Sequence, residues 1–253
     1  MSDIMIKPSA MIAAGAKLSL IERSLWNILF KTAFNKLALD VMHEISEQEM
    51  LSYFPYETRN TEHLKAALKR IVGTVVEYNV LGKDKQQMWG VFSLLGGAEL
   101  KNGVCQYSYS LQLREKMNDK LIYAKISMHI AMRLVSKYSL VLYELAMDYV
   151  KIGETPWIDL ARLRSIFGVN EGEYKEYKAF NRRTIQPALK EINAKSNLLI
   201  KVTTQRTSHA VSHLKFLIGY NPDYKHDVEV FEPTINDHKA QIINMLRVEK
   251  KYV

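Results

Sequence analysis

Apolar positions recur at helical spacing in two separate stretches of the chain, and each stretch runs through the same succession of elements. In residues 18–34, Leu18, Ile21, Leu25, Ile28 and Leu29 fall on one side of a helix. Ser46-Glu47-Gln48-Glu49 has the order of a capping box, opening a short helix through Phe54 that Pro55 stops. Residues 61–79 predict a third helix, with Leu64, Leu68, Ile71, Val72 and Val75 inward. Two apolar runs follow, 88–95 and 104–113. In the latter Tyr107, Tyr109, Leu111 and Leu113 alternate with polar residues, the period of a strand. The glycine-rich connector 96–103 reads as a turn.

The second stretch repeats this plan. Residues 136–150 predict a helix, 158–167 a short helix closed by Gly168, and 174–193 a longer third helix. Strands over 198–203 and 211–219 flank a polar tip from Gln205 to His209. The third helices share a faint echo, Lys69-Arg70 before Glu77-Tyr78-Asn79 and Arg182-Arg183 before Glu191-Ile192-Asn193. Three helices followed by a two-stranded wing is the winged-helix form of helix-turn-helix, in which the third helix enters a DNA groove. The expected fold is therefore α+β, two tandem winged-helix domains over 1–127 and 128–222. A tail, 223–253, carries Ile242, Ile243 and Leu246 at the spacing of a terminal helix.

Charge sharpens this picture. The 253 residues carry a formal net charge of +8, which favours a polyanionic partner. Between 175 and 219 lie nine Lys or Arg and two acidic residues, a net +7 in one predicted helix and its wing. At 100° per residue, Tyr177, Ile185, Ala188, Leu189 and Ile192 fall within about 60° of one line. Lys175, Ala179, Arg182, Arg183, Gln186, Lys190 and Asn193 fall on the other side. Arginine can donate two hydrogen bonds to guanine, Gln or Asn can pair with adenine, and lysine neutralises phosphate. Pro187 predicts a kink or a break, because it lacks an N–H and crowds the preceding turn. Lys175, Lys178, Ala179, Arg182, Arg183, Gln186 and Lys190 are the DNA-binding candidates of this helix, Lys201, Arg206 and Lys215 those of the wing, and Lys65, Lys69 and Arg70 those of the first domain.

Three strings in this order resemble the Rep_3 family of plasmid replication initiators. They are Ser136-Lys137-Tyr138-Ser139-Leu140, Ile158-Asp159-Leu160-Ala161-Arg162-Leu163-Arg164, and Phe180-Asn181-Arg182-Arg183-Thr184-Ile185-Gln186-Pro187-Ala188 with Glu191-Ile192-Asn193. Leu18-Ser19-Leu20-Ile21-Glu22 is similar to the family's opening helix. The resemblance implies two winged-helix domains, the second making the main major-groove contacts and the first contacting DNA backbone and mediating dimerisation. It also implies binding to iterons, the direct repeats of a plasmid origin, as a monomer, and repression of its own gene as a homodimer. A host initiator ATPase and the replicative helicase are the implied partners, in a bacterial cytoplasm. Thr184 departs from the resemblance, standing where an aliphatic residue is expected.

Other classes fit poorly. One cysteine, Cys105, excludes an internal disulfide framework and a cysteine-built zinc site. No run approaches the roughly 18 apolar residues of a membrane span. A rolling-circle nickase needs a His-hydrophobic-His metal pair, whereas His209 and His213 are separated by Ala210-Val211-Ser212 in a predicted hairpin. Gly82-Lys83 lacks the glycine and the Ser or Thr of a phosphate-binding loop. No catalytic residues, metal or cofactor are expected. The competing expectation is a double winged-helix transcriptional regulator without an origin-opening role.

Overall fold

The computed structural model describes residues 3–37, 41–54, 60–81, 87–117 and 123–224. Residues 17–122 form one compact unit, and residues 1–16 join 123–253 in another. The chain's first strand, β1 (Ile4–Pro8), therefore does not belong with the unit 17–122 that comes next in the sequence. It pairs antiparallel with β7 (Tyr123–Ser127), from Ile4 opposite Ser127 to Pro8 opposite Tyr123. This differs from the boundary expected at residue 127, because backbone pairing over a long sequence separation leaves no local pattern.

In the unit 17–122, α2 (Leu20–Ala33) starts on a closed capping box. Ser19 Oγ accepts from the Glu22 N–H at 3.4 Å, and Glu22 Oε2 accepts from the Ser19 N–H at 2.8 Å. The helix buries Leu25, Trp26, Ile28, Leu29 and Phe30. In β2 (Met42–Ser46) His43 and Ile45 point inward. Ser46 then caps α3 (Glu47–Ser52), accepting from the Glu49 N–H at 3.1 Å. Asn60 caps α4 (Thr61–Val72), whose Leu64, Ala67, Leu68 and Ile71 are buried.

α4 is shorter than its periodicity predicts. It ends at Gly73, and Val75 and Val76 enter β3 (Val75–Leu81), which pairs with β4 (Gln87–Ser93). Stiff β-branched side chains after a glycine favour that exit, and Val75 is exposed rather than inward. Glu77-Tyr78-Asn79 consequently lies in a strand, so its echo of Glu191-Ile192-Asn193 is not structural. The connector expected as a turn holds a strand, β5 (Gly97–Lys101), in a hairpin with β6 (Val104–Ser108). Asn102 and Gly103 turn that hairpin at φ of 51° and 74°. β6 also pairs with β2, giving the sheet order β2-β6-β5. The strand expected through Leu113 stops at Ser108. Leu111 opens α5 (Leu111–Met117), with Leu113 buried and Leu111 exposed.

In the other unit β1 leads into α1 (Ser9–Ala14), and β7 into α6 (Met128–Arg133) and α7 (Lys137–Tyr149). Lys7 Nζ of β1 meets Glu144 Oε2 of α7 at 2.8 Å, both side chains buried. After β8 (Ile158–Asp159), Asp159 caps α8 (Leu160–Ile166) by accepting from the Arg162 N–H at 2.9 Å. Ile158, expected as the start of the helix, pairs instead with Leu214. Gly168, at φ +59°, ends α8 as expected, and the Val169 N–H returns to the Arg164 carbonyl at 3.0 Å.

Then comes a continuous helical rod: α9 (Tyr177–Phe180), a π turn (Asn181–Ile185) and α10 (Gln186–Lys195). It starts three residues after the expected Tyr174, which sits at φ +47°. β9 (Leu198–Thr207) and β10 (Ala210–Tyr220) form the wing, and the sheet order is β8-β10-β9. Ser208 and His209, at φ 49° and 70°, make a two-residue turn of the type that suits twisted hairpins, narrower than the expected tip. The expected tail helix over 237–253 lies outside the described residues. Among the described residues no helix is long and apolar enough to cross a membrane.

Candidate nucleic-acid interface

The rod is seated by Phe180, Thr184, Ile185, Ala188, Leu189 and Ile192, all buried. Pro187 does not break it: the helical run continues from Tyr177 to Lys195 through the π turn. The Gln186 N–H reaches back to the Asn181 carbonyl, one residue further than in an α-helix. That wider turn accommodates the proline ring at the start of α10. Thr184, the departure from the expected aliphatic residue, is fully buried and donates its hydroxyl to the Phe180 carbonyl at 2.7 Å. It packs like a valine and supplies a donor where the α-helical ladder is interrupted.

The entrance to the rod is fixed by aromatic packing. Tyr138 stacks on Phe167 at 6.1 Å, and Phe167 meets Phe180 edge-on at 6.0 Å. The Arg164 guanidinium lies 4.6 Å from the Phe180 ring centre and donates to the carbonyls of Glu173 at 3.3 Å and Lys175 at 3.0 Å. At the other end Asn193 accepts from the Ile200 N–H at 2.8 Å and donates to the Ile200 carbonyl at 3.0 Å. Angular position groups Asn193 with the polar face, but it fastens the rod to β9. Glu191 Oε1 accepts from the Val135 N–H and from Lys195 Nζ, both at 2.8 Å. Burial pushes the Glu191 carboxyl up, but these donors outweigh it and hold it below its ordinary value.

Outward, Lys178, Arg182, Arg183, Gln186 and Lys190 are exposed, and Ala179 is half-buried among them. Gln186 Nε2 donates to Asn181 Oδ1 at 3.2 Å. No carboxylate among the described residues pairs with Lys178, Arg182, Arg183 or Lys190. Lys175 is exposed too, but in the lead-in held by Arg164 rather than on the helix.

The wing divides its three candidates. Along β9 Leu198, Ile200 and Val202 turn toward the helices, and the two-residue period puts exposed Arg206 on that same face. Lys201 lies on the reverse face, as does Lys215, whose register partner is Thr203. Lys215 Nζ pairs with Glu154 Oε1 at 2.7 Å and lies 5.3 Å from the Trp157 ring, so it is already neutralised. His209 sits in the turn and a bulge separates Val211 from His213, so the two histidines do not share the regular strand face their spacing predicts.

The first-domain candidates belong to the separate unit 17–122. Lys65 pairs with Glu62 at 2.7 Å, and Arg70 Nε lies 3.8 Å from Glu22 Oε1. Lys69 is exposed with no carboxylate partner among the described residues. Arg164 and Phe167 were absent from the sequence-derived candidates. The only available signal was a basic residue four positions before a helix-ending glycine.

Residues 4–147 match the family described as Initiator Replication protein, WH1, and residues 159–218 match Initiator Rep protein, WH2. No curated protein sequence matches the chain. Among solved structures, a selenomethionine crystal structure of domains 2 and 3 of RctB is 11% identical over 85% of each chain, with a TM-score of 0.43. A second crystal structure of RctB domains 2–3 is 11% identical over 85% of this chain and 86% of that one, with a TM-score of 0.39. With WH1 and WH2 matched in chain order over most of its length, the chain belongs to the initiator Rep protein family and is a replication initiator built on two winged-helix domains.

Proposed function

We propose that this initiator binds the direct repeats of a plasmid origin as duplex DNA, reading the major groove with α9 and α10 while the β9–β10 wing grips the adjacent backbone through Arg206. The observation that carries the reading is a rod whose apolar side is buried and whose Lys178, Arg182, Arg183 and Lys190 face outward with no carboxylate partner among the described residues. Phosphate contacts by such groups fix register on the duplex, and base-edge contacts by arginine and glutamine supply sequence preference. The first unit contributes backbone contact and dimerisation, the dimer repressing the initiator's own gene. Bound copies strain an adjacent A·T-rich segment and bring in a host initiator ATPase and helicase, in the cytoplasm and without catalysis by this chain. The family membership supports these steps. Binding of the full chain to a duplex of tandem repeats, an inverted repeat and a scrambled duplex at fixed salt tests the reading. Preference for the tandem array is expected. Preference for the inverted repeat, with no support of plasmid replication, would make the protein a transcriptional regulator instead.

A further inference from the structure

The π turn has a second effect, on the outward side of the rod. In an α-helix each residue turns about 100°, so side chains five apart point roughly 140° away from each other. Asn181 and Gln186 are such a pair, and on a regular helix their amides would not meet. Here the Gln186 N–H bonds the Asn181 carbonyl, which sets Gln186 one full turn above Asn181. The side chains do meet: Gln186 Nε2 donates to Asn181 Oδ1 at 3.2 Å. Two neighbours keep the turn wide. Pro187 brings no N–H to the helical ladder, and the Thr184 hydroxyl donates to the Phe180 carbonyl at 2.7 Å. Arg182, Arg183 and Gln186 are exposed in this stretch, and Asn181 is half-buried.

We infer that Gln186 specifies one adenine in the bound duplex and that Asn181 is a positioning residue that orients the Gln186 amide. The inference rests on the reading of this face as the duplex-binding one and adds which side chain chooses which base. A glutamine amide has two N–H donors and one carbonyl oxygen. With one N–H given to Asn181, the other N–H and Oε1 remain, the combination that meets N7 and the N6 amino group of adenine in the major groove. Guanine offers N7 and O6, two acceptors, so Oε1 would face O6 with no proton between them. The Asn181 contact also withdraws rotamer freedom that an unsupported glutamine would lose only on meeting the base.

Selection of duplexes from a randomised pool by the full chain tests this. The parent is expected to enrich a common motif in which one position, close to the one that Arg182→Ala alters, favours adenine roughly 5- to 100-fold. Gln186→Ala should flatten that position and leave the rest of the motif intact. Gln186→Glu should turn it toward cytosine, whose N4 amino group donates to a carboxylate. Asn181→Ala should weaken the adenine preference by roughly threefold or more without erasing it. Loss of stability alone does not mimic this, because it lowers binding to every duplex equally. A motif unchanged by Gln186→Ala, an even loss across all its positions, or a base other than adenine at the flattened position overturns the role of Gln186. An Asn181→Ala selection identical to the parent's overturns the positioning role. If Arg182→Ala erases one position while Gln186→Ala changes none, only the adenine assignment fails. If the parent enriches no motif, the reading of the rod itself fails, and this inference with it.

Discussion

The helices α4 and α9–α10 occupy the same place in two units with the same plan, yet they offer different surfaces. In each unit a short strand, β2 after α2 and β8 after α7, pairs with the last strand of the wing, giving the orders β2-β6-β5 and β8-β10-β9. In each, the third helix buries an apolar stripe. On α4, however, Lys65 is held by Glu62 and Arg70 lies near Glu22. On the rod, Lys178, Arg182, Arg183 and Lys190 have no such neighbour among the described residues. Counting charges along a sequence therefore overstates what the first unit can present to DNA. An ion pair inside the unit has to be given up before its cation meets phosphate, and exposed pairs are themselves worth little.

The comparison can be broken most severely by unseating one helix. Phe180→Ala removes the side chain on which Phe167 and Arg164 converge, and is expected to cost about 3–5 kcal/mol of stability in urea unfolding. An unchanged midpoint would show that the rod is held by α10 alone. Next, Arg182→Ala and Arg183→Ala are each expected to cost roughly 1–3 kcal/mol on the cognate duplex, against less than about 1 kcal/mol for Lys69→Ala or Arg70→Ala. Equal, small losses on cognate and scrambled duplexes would reduce the two arginines to phosphate contacts. Thr184→Val keeps the shape but withdraws the hydroxyl from the Phe180 carbonyl, an expected stability loss of about 1–3 kcal/mol, larger than for the exposed Thr74 hydroxyl that donates to the Arg70 carbonyl of α4 at 2.7 Å.

Glu191 gives a smaller, pH-dependent effect. Its folded carboxyl titrates below the ordinary value, so folding favours the ionised form. That stability is present at neutral pH, above the unfolded value, and is lost as pH falls through the folded one. The urea midpoints of the parent and Glu191→Gln should converge in acid, and a constant gap would remove Glu191 as the source. The smallest expected effects lie in the wing. Arg206→Ala should shallow the salt dependence of duplex binding by about 0.9, whereas Lys215→Ala, already paired with Glu154, should leave it nearly unchanged. The reverse result would exchange the roles of the two wing faces.

The sequence by itself determined the local elements whose cause is local. Ser19, Ser46, Ser136 and Asp159 each cap the helix they precede, Gly168 ends α8, and the apolar stripe of α10 faces inward as its spacing requires. The resemblance carried by Arg182, Arg183 and Pro187 named the family for the same reason, since it lies in one contiguous run. Where two local signals conflicted, only the packed structure chose. Val75 fits a helix by period and a strand by branching, and Pro187 could have broken a helix that a π turn and Thr184 instead keep whole. Pairings across long separations were illegible altogether. Nothing near Ile4 announces Ser127 as its partner, Lys7 gives no hint of Glu144, and Lys215 looks no different in sequence from Lys178, whereas Lys65 has Glu62 three residues before it on the same helix. Which cations stay free depends on carboxylates that folding brings beside them, and that proximity exists only in three dimensions.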